Sequence, residues 1–267
     1  MPRITTVRAD DFAEKGPATE TVDLTLRLLE RLASSREAIG VSDLAREFEA
    51  SKATVYRHLR ALVQHGFVHQ DVATARYTAG IKLFVLGERL RERFDILALA
   101  RDDMARLRDE TGQPATLTTL VEGQVVVLEV LQGNALVNFG TQPGTVLDLH
   151  ASAHGKVALA FGPPELLRQC LAKPRKAWTS HTICSPAALE RAIAQVKARG
   201  WATAPNQVLE GVNGLAAPVF NHSGTYLGAV AIAGSIQYIP TSPSQAQVKA
   251  VTKAAARISQ RLGWRGP

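Results

Sequence analysis

The chain has 267 residues, 46% of them apolar, with 31 Lys or Arg against 24 Asp or Glu. That length holds two domains, the apolar share excludes a disordered chain, and no run nears the roughly 20 apolar residues that span a bilayer. Two cysteines, Cys170 and Cys184, make no disulfide framework and fit a reducing cytoplasm. In chain order, residues 1–18 mix charges without an apolar core. They are no secretory signal and read as a flexible tail. Val22, Leu24, Leu26, Leu28, Leu29 and Leu32 then supply a helix that supports the pair after it.

Residues 41–66, VSDLAREFEASKATVYRHLRALVQHG, read as helix, tight turn, helix. Val41, Leu44, Ala45 and Phe48 recur at helical spacing in the first, with Ser42 as its cap. Val55, Leu59, Leu62 and Val63 make the buried stripe of the second, and Gly66 suits a left-handed stop. Ser51, Lys52, Thr54, Tyr56, Arg57 and Arg60 are left facing outward, where they can bond phosphates and base edges in a major groove. No acidic residue falls between Ala50 and Gln70, so nothing there repels a phosphate backbone. Two packed surface helices with a solvated basic face would show the same pattern. The β-prone runs Phe67–Asp71 and Arg76–Thr78 favour the DNA reading, because a hairpin after the second helix makes a winged helix-turn-helix. Arg76 is expected near the wing tip.

Ile81 to Phe94 reads as a linker helix, and Ile96 to Glu110 as another with Leu97, Ala100, Met104 and Leu107 inward. ATLTTLVEGQVVVLEVLQGNALVNF then gives three strands with turns at Glu122-Gly123 and Gln132-Gly133-Asn134. Helices are expected after Ser152, after Pro163-Pro164, over Ala187 to Arg199, and from Val248 to Leu262. Strands return at Trp201 to Ala204, Gly214 to Phe220 and Tyr226 to Ala233. The expected fold is α+β: an N-terminal winged helix-turn-helix over 19–80, a linker helix over 81–95, and a C-terminal domain over 96–267 with an antiparallel sheet flanked by helices.

The positive surplus does not lie in the head. Residues 19–94 hold 12 basic and 10 acidic side chains, residues 95–150 hold 3 and 8, and residues 151–267 hold 13 and 3. The head's case therefore rests on local placement rather than net charge.

Over about residues 19–263 the chain resembles the IclR family of bacterial transcriptional regulators. LAREFEASKATVYRHLRALVQHGFV is similar to that family's winged helix, LHASAHGKVALA to its effector-domain helix entry, and LEGVNGLAAPVFNHSGTYLGAVAIAGS to its late signature. The resemblance implies a DNA-binding head, a GAF-like effector domain, and dimers or pairs of dimers that bind double-stranded operator DNA and answer a small metabolite. Two departures stand near the implied ligand site. Asn206 and Gln207 replace frequent acidic residues, and His154 replaces a small one.

The resemblance places the effector against Leu147, His150, Ala153, His154, Ala204, Gly214, Ala216, Ala231, Ala233 and Ser235. Small side chains there leave room for a ligand, although they also permit close packing of sheet on helix. The helix opening at Ser152 offers unpaired N–H groups and the positive end of a dipole, which suits a carboxylate. His154 would donate to the same group, or else fill a loop half-exposed. The expected effector is a small organic acid, with an aromatic ring suiting an alanine-rich wall. His150, His154, His181 and Cys184 could instead group as metal ligands or as a nucleophile with its base, but no HExxH, paired CxxC or glycine-rich phosphate loop accompanies them. No catalytic residue, metal or cofactor is therefore expected. An architectural DNA binder without ligand is the other alternative, against which the large C-terminal domain argues.

Overall fold

The computed structural model describes residues 17–91, 95–133 and 141–266. The chain divides into two compact units, Met1–Arg93 and Phe94–Pro267. The tail expected over 1–18 lies outside the described residues as far as residue 16, and Pro17 opens the first helix. The third strand expected after Asn134 also lies outside them.

The first unit runs α1 (Pro17–Ala33), α2 (Val41–Glu47), α3 (Lys52–Gln64), β1 (Val68–Gln70), β2 (Tyr77–Ala79) and α4 (Ile81–Arg91). Its core gathers Leu28 and Leu32 of α1, Leu44 of α2, Val55, Leu59 and Leu62 of α3, and Val68 and Tyr77 of the wing. Of the six residues expected in the α1 stripe, Leu28 and Leu32 are buried and Leu24 and Leu29 partly buried. Val22 and Leu26 are more than half exposed, because α1 packs along one face and these two point away from it. Ser42 does not cap α2. Gly40 holds that position without a side-chain bond.

β1 and β2 pair antiparallel, from Val68↔Ala79 to Gln70↔Tyr77. Asp71 closes the turn by accepting from the backbone N–H groups of Ala73 and Thr74 at 2.8 and 2.7 Å. Tyr77 also bridges Ile39, so the wing is stitched back to the segment before α2.

The second unit begins with α5 (Asp95–Thr111) and carries one six-stranded antiparallel sheet in the order β5-β4-β3-β8-β7-β6. The strands are β3 (Ala115–Val121), β4 (Gln124–Leu131), β5 (Val146–Leu147), β6 (Ala202–Thr203), β7 (Val212–Phe220) and β8 (Tyr226–Ser235). Helices α6 (Ala153–Phe161), α7 (Pro164–Ala172) and α8 (Pro186–Arg199) follow β5, and α9 (Gln245–Arg261) closes the chain.

The period of two along each strand divides the unit into two cores. Leu117, Leu215, Val219, Val230 and Ile232 face α5 and α9. Ala216, Ala229 and Ala231 face α6 and α8. One side of the sheet is therefore lined by large aliphatics and the other by small residues, and the second side leaves space.

Candidate functional site

The head presents α3. Ser51 is its N-cap, with Oγ accepting from Thr54 N–H at 3.1 Å and lying 2.8 Å from Thr54 Oγ1. These two hydroxyls are engaged with each other and fix where the helix starts. Lys52, Tyr56, Arg57 and Arg60 are exposed along one side. Among the described residues, no carboxylate pairs with Lys52, Arg57 or Arg60. Their charges are free for a polyanion.

The Arg76 side chain is turned differently from the expectation. The residue lies beside the wing turn, where its carbonyl accepts from Asp71 N–H at 2.9 Å, but its side chain turns back and Nη1 donates to the Ala38 carbonyl at 2.9 Å. The tip itself is Val72 to Ala75, where Val72 is almost wholly exposed. Beneath α3, buried His58 meets Thr25 Oγ1 through Nδ1 at 2.7 Å. Burial first, and then the Arg57 charge, push its pKa down, so it supports the helix as a neutral ring.

In the second unit a cavity of about 330 Å³ opens between the small-residue side of the sheet and the start of α6. Seven of the ten expected residues line it: Leu147, Ala153 and His154 on one side, Ala204 and Gly214 across from them, and Ala231 and Ala233 on the floor. His150, Ala216 and Ser235 are not in its lining. His150 is buried with both ring nitrogens occupied, Nδ1 lying 2.7 Å from Asp148 Oδ1 and Nε2 donating to the Lys176 carbonyl at 3.0 Å. Ala216 is fully buried in the core against α6. Ser235 Oγ accepts from Gln237 N–H where β8 ends.

The start of α6 is tightly built. Ser152 is the N-cap, accepting from Gly155 N–H at 2.9 Å and donating to the Asp148 carbonyl at 2.6 Å. Gly155 is required there, since a Cβ would stand 2.3 Å from the Asp148 oxygen. Among the described residues, nothing bonds the N–H groups of Ala153 and His154, which end the helix beside the cavity. That leaves two donors and the positive end of a dipole.

His154 is buried, not half-exposed. Its Nδ1 lies 3.0 Å from Thr118 Oγ1, which also reaches the Ala229 carbonyl at 3.3 Å. Burial pushes its pKa down to about 3, so the ring is neutral at any ordinary pH. The Thr118 hydroxyl has one proton to give. When it goes to His154 Nδ1, the ring carries its hydrogen on Nε2 and becomes a donor.

No charged side chain lines the cavity among the described residues. Several lining residues were not foreseen: Thr116, Val208, Leu209, Val212 and Asn213. Asn213 is a brace, since its amide binds Ala204 N–H and the carbonyls of Ile239 and Pro240. Val208 and Leu209 are roughly half exposed apolar residues in a loop, and that oddity is visible in the sequence. The residues grouped above as metal ligands do not converge: among the described residues, no three His, Cys, Asp or Glu side chains could hold an ion.

A winged head with a bare basic helix and a separate unit with an uncharged cavity define a DNA-binding regulator. The comparisons agree. The family model described as the bacterial transcriptional regulator IclR C-terminal domain matches residues 89–260, and that of the IclR helix-turn-helix domain matches residues 21–72. The chain belongs to the IclR family of transcriptional regulators. It is 32% identical over 250 residues to the glycerol operon regulatory protein of Streptomyces griseus, covering 91% of this chain and 96% of that protein. It is 28% identical over 253 residues to the transcriptional repressor IclR of Escherichia coli K12, covering 92% of each. The crystal structure of an IclR homolog from Microbacterium hydrocarbonoxydans, complexed with 4-hydroxybenzoate, shares the fold with a TM-score of 0.80 at 24% identity, covering 91% of this chain and 98% of that one.

Proposed function

We propose that this regulator controls a catabolic operon from a roughly palindromic operator and is released or recruited by a small organic acid, aromatic in kind, that fills the cavity. Each α3 enters a major groove, with Arg57 and Arg60 toward base edges and Lys52 and Ser51 toward phosphates. A second copy supplies the second half-site. The exposed apolar residues Ile81, Phe84 and Val85 on α4, with Val22 and Leu26 on α1, support such pairing, since patches of this kind mark contact surfaces. A pair of such dimers is the further assembly the family resemblance suggests. No described helix is long and apolar enough to cross a membrane, and a regulator that holds operator DNA works in the cytoplasm, where that DNA lies.

The single observation that carries the effector reading is the uncharged cavity ending on two free N–H groups and a neutral histidine. A carboxylate there needs no counter-ion side chain. It takes the amides of Ala153 and His154, and it selects the His154 tautomer that donates from Nε2. The apolar floor rewards a ring over a polyhydroxy acid, whose hydroxyls would lose water without finding partners. The 4-hydroxybenzoate in the Microbacterium hydrocarbonoxydans homolog is a ligand of that chemistry. Calorimetry with benzoate-type acids, their amides and aliphatic dicarboxylates tests this. Monocarboxylates should bind most tightly, and equal binding of acid and amide would remove the carboxylate from the helix start.

A further inference from the structure

The side of the sheet away from the cavity carries a second cluster of charge. Asp103 on α5 is 1% exposed, and Arg106, Arg257 and Arg261 close on it from α5 and α9. Arg261 Nε lies 3.1 Å from Asp103 Oδ2, and its Nη1 lies 3.4 Å from Asp102 Oδ2. Arg106 and Arg257 stand farther off, at 3.8 and 3.9 Å from Asp103 Oδ1. Those two contacts exceed the roughly 2.7–2.9 Å of a charge-assisted hydrogen bond. Neither oxygen of Asp103 has a hydrogen-bond partner among the described residues. Asp103 itself, Gln260 and the three arginines line a cleft of about 350 Å³.

An ion network that only pinned α5 to α9 would need one well-placed arginine. Here three guanidinium groups meet two carboxylates, which leaves a positive surplus. The α9 side adds to it, with four Lys or Arg and no Asp or Glu over residues 245–261, whereas α5 carries three Arg against five Asp or Glu. Lys249, Lys253, Arg257 and Arg261 recur every four residues along α9 and so share a face of it. Asp103 is a buried keystone that gathers the arginines; Arg261 Nη1 also donates to Asp102 and the Leu99 carbonyl, while among the described residues Arg106 and Arg257 donate no hydrogen bond.

We infer that this cleft is a second anion site, and that its ligand is a small molecule bearing a phosphomonoester or a like tetrahedral dianion. The charge argues for that class. A carboxylate is already present, so an incoming anion must hold the guanidinium groups better than Asp103 does. A group of about two negative charges with three acceptor oxygens does so, and the guanidinium fork matches it bidentately. The site is separate from the apolar cavity and does not depend on what that cavity binds.

Inorganic phosphate is the probe. The full chain is titrated with sodium phosphate, ionic strength held constant with sodium chloride, and read by thermal shift and calorimetry. The expected result is a saturable rise in melting temperature. Arg106→Gln and Arg257→Lys should each weaken phosphate about tenfold, since each removes one bidentate contact. Circular dichroism checks that both remain folded, which the exposure of Arg106 favours. No saturable rise, or unchanged phosphate affinity in both folded variants, overturns the site. A parallel arm uses a short duplex without operator sequence. If that duplex gives a rise sensitive to both variants while free phosphate gives none, the cleft takes a nucleic-acid backbone and the small-molecule assignment is wrong.

Discussion

Replacing Ala231 with Leu separates a ligand cavity from mere close packing. Ala231 is 1% exposed, sits opposite Ala216 in the β7–β8 register, and lines the cavity floor. Leucine adds three carbon atoms. If they enter empty space, each buried carbon contributes about 0.8 kcal/mol, an upper bound of about 2.4 kcal/mol in the free protein. For a domain of this size that upper bound corresponds to a rise in melting temperature of about 5–10 °C. The same atoms take the ligand's place. A ligand at a hundred times its Kd stabilises the parent by about 2.7 kcal/mol, and this increment should vanish in the variant. Ala216→Leu is the internal control, because Ala216 is buried outside the cavity and overpacking there costs about 1–3 kcal/mol. Thermal melts with and without a bound acid, alongside operator gel shifts, give all three readings. Operator affinity should not change. If Ala231→Leu destabilises as much as Ala216→Leu and still shows the ligand increment, the small residues serve packing and the cavity reasoning fails.

Arg57→Ala should weaken operator binding by about 1–3 kcal/mol, while Lys52→Ala should weaken all sequences alike and flatten the salt dependence, as gel shifts at several salt concentrations would show. Ser51→Ala removes the α3 cap and should cost about 1 kcal/mol in denaturant unfolding. His154 is depressed from 6.5 to about 3 in the folded state, so the stability tied to its neutral form is present above 6.5 and lost as the pH falls from there toward 3. His154→Gln should flatten that stretch of the stability profile, and an unchanged slope would contradict it. Residues 96–267 should fold alone and bind ligand without DNA, by circular dichroism and calorimetry on the fragment.

How far each feature could be read from the sequence depends on the range of the interaction behind it. The α3 stripe of Val55, Leu59 and Leu62 is a local period, and it appears where the spacing put it. The strands β7 and β8 and the α9 helix are legible for the same reason. Caps are less so: Ser51 caps α3, but Ser42 stands too late in the chain to cap α2. Arg76 stands by the wing turn as expected, but its bond to the Ala38 carbonyl, 38 residues away, could not be read from the sequence. The burial of His154 likewise depends on Thr118 and Ala229, which only the fold brings near. The resemblance placed His150 at the cavity, yet Asp148 and Lys176, the latter 26 residues away, hold it elsewhere.

The two cores of the second unit share one wall, a single chain thick. Thr116 faces the cavity, while its neighbours Ala115 and Leu117 belong to the core under α5. Ala231 stands in the same relation to Val230 and Ile232. A peptide plane cannot be pushed on one side only. Because a close-packed interior is stiff, a ligand pressing on the floor of the cavity would strain the alternate side chains on the reverse, and α5 rests on them. The sheet works like a drumhead, struck on one side and felt on the other. α5 is also where the second unit begins, so the element that feels the blow lies next in the chain to the head that holds DNA.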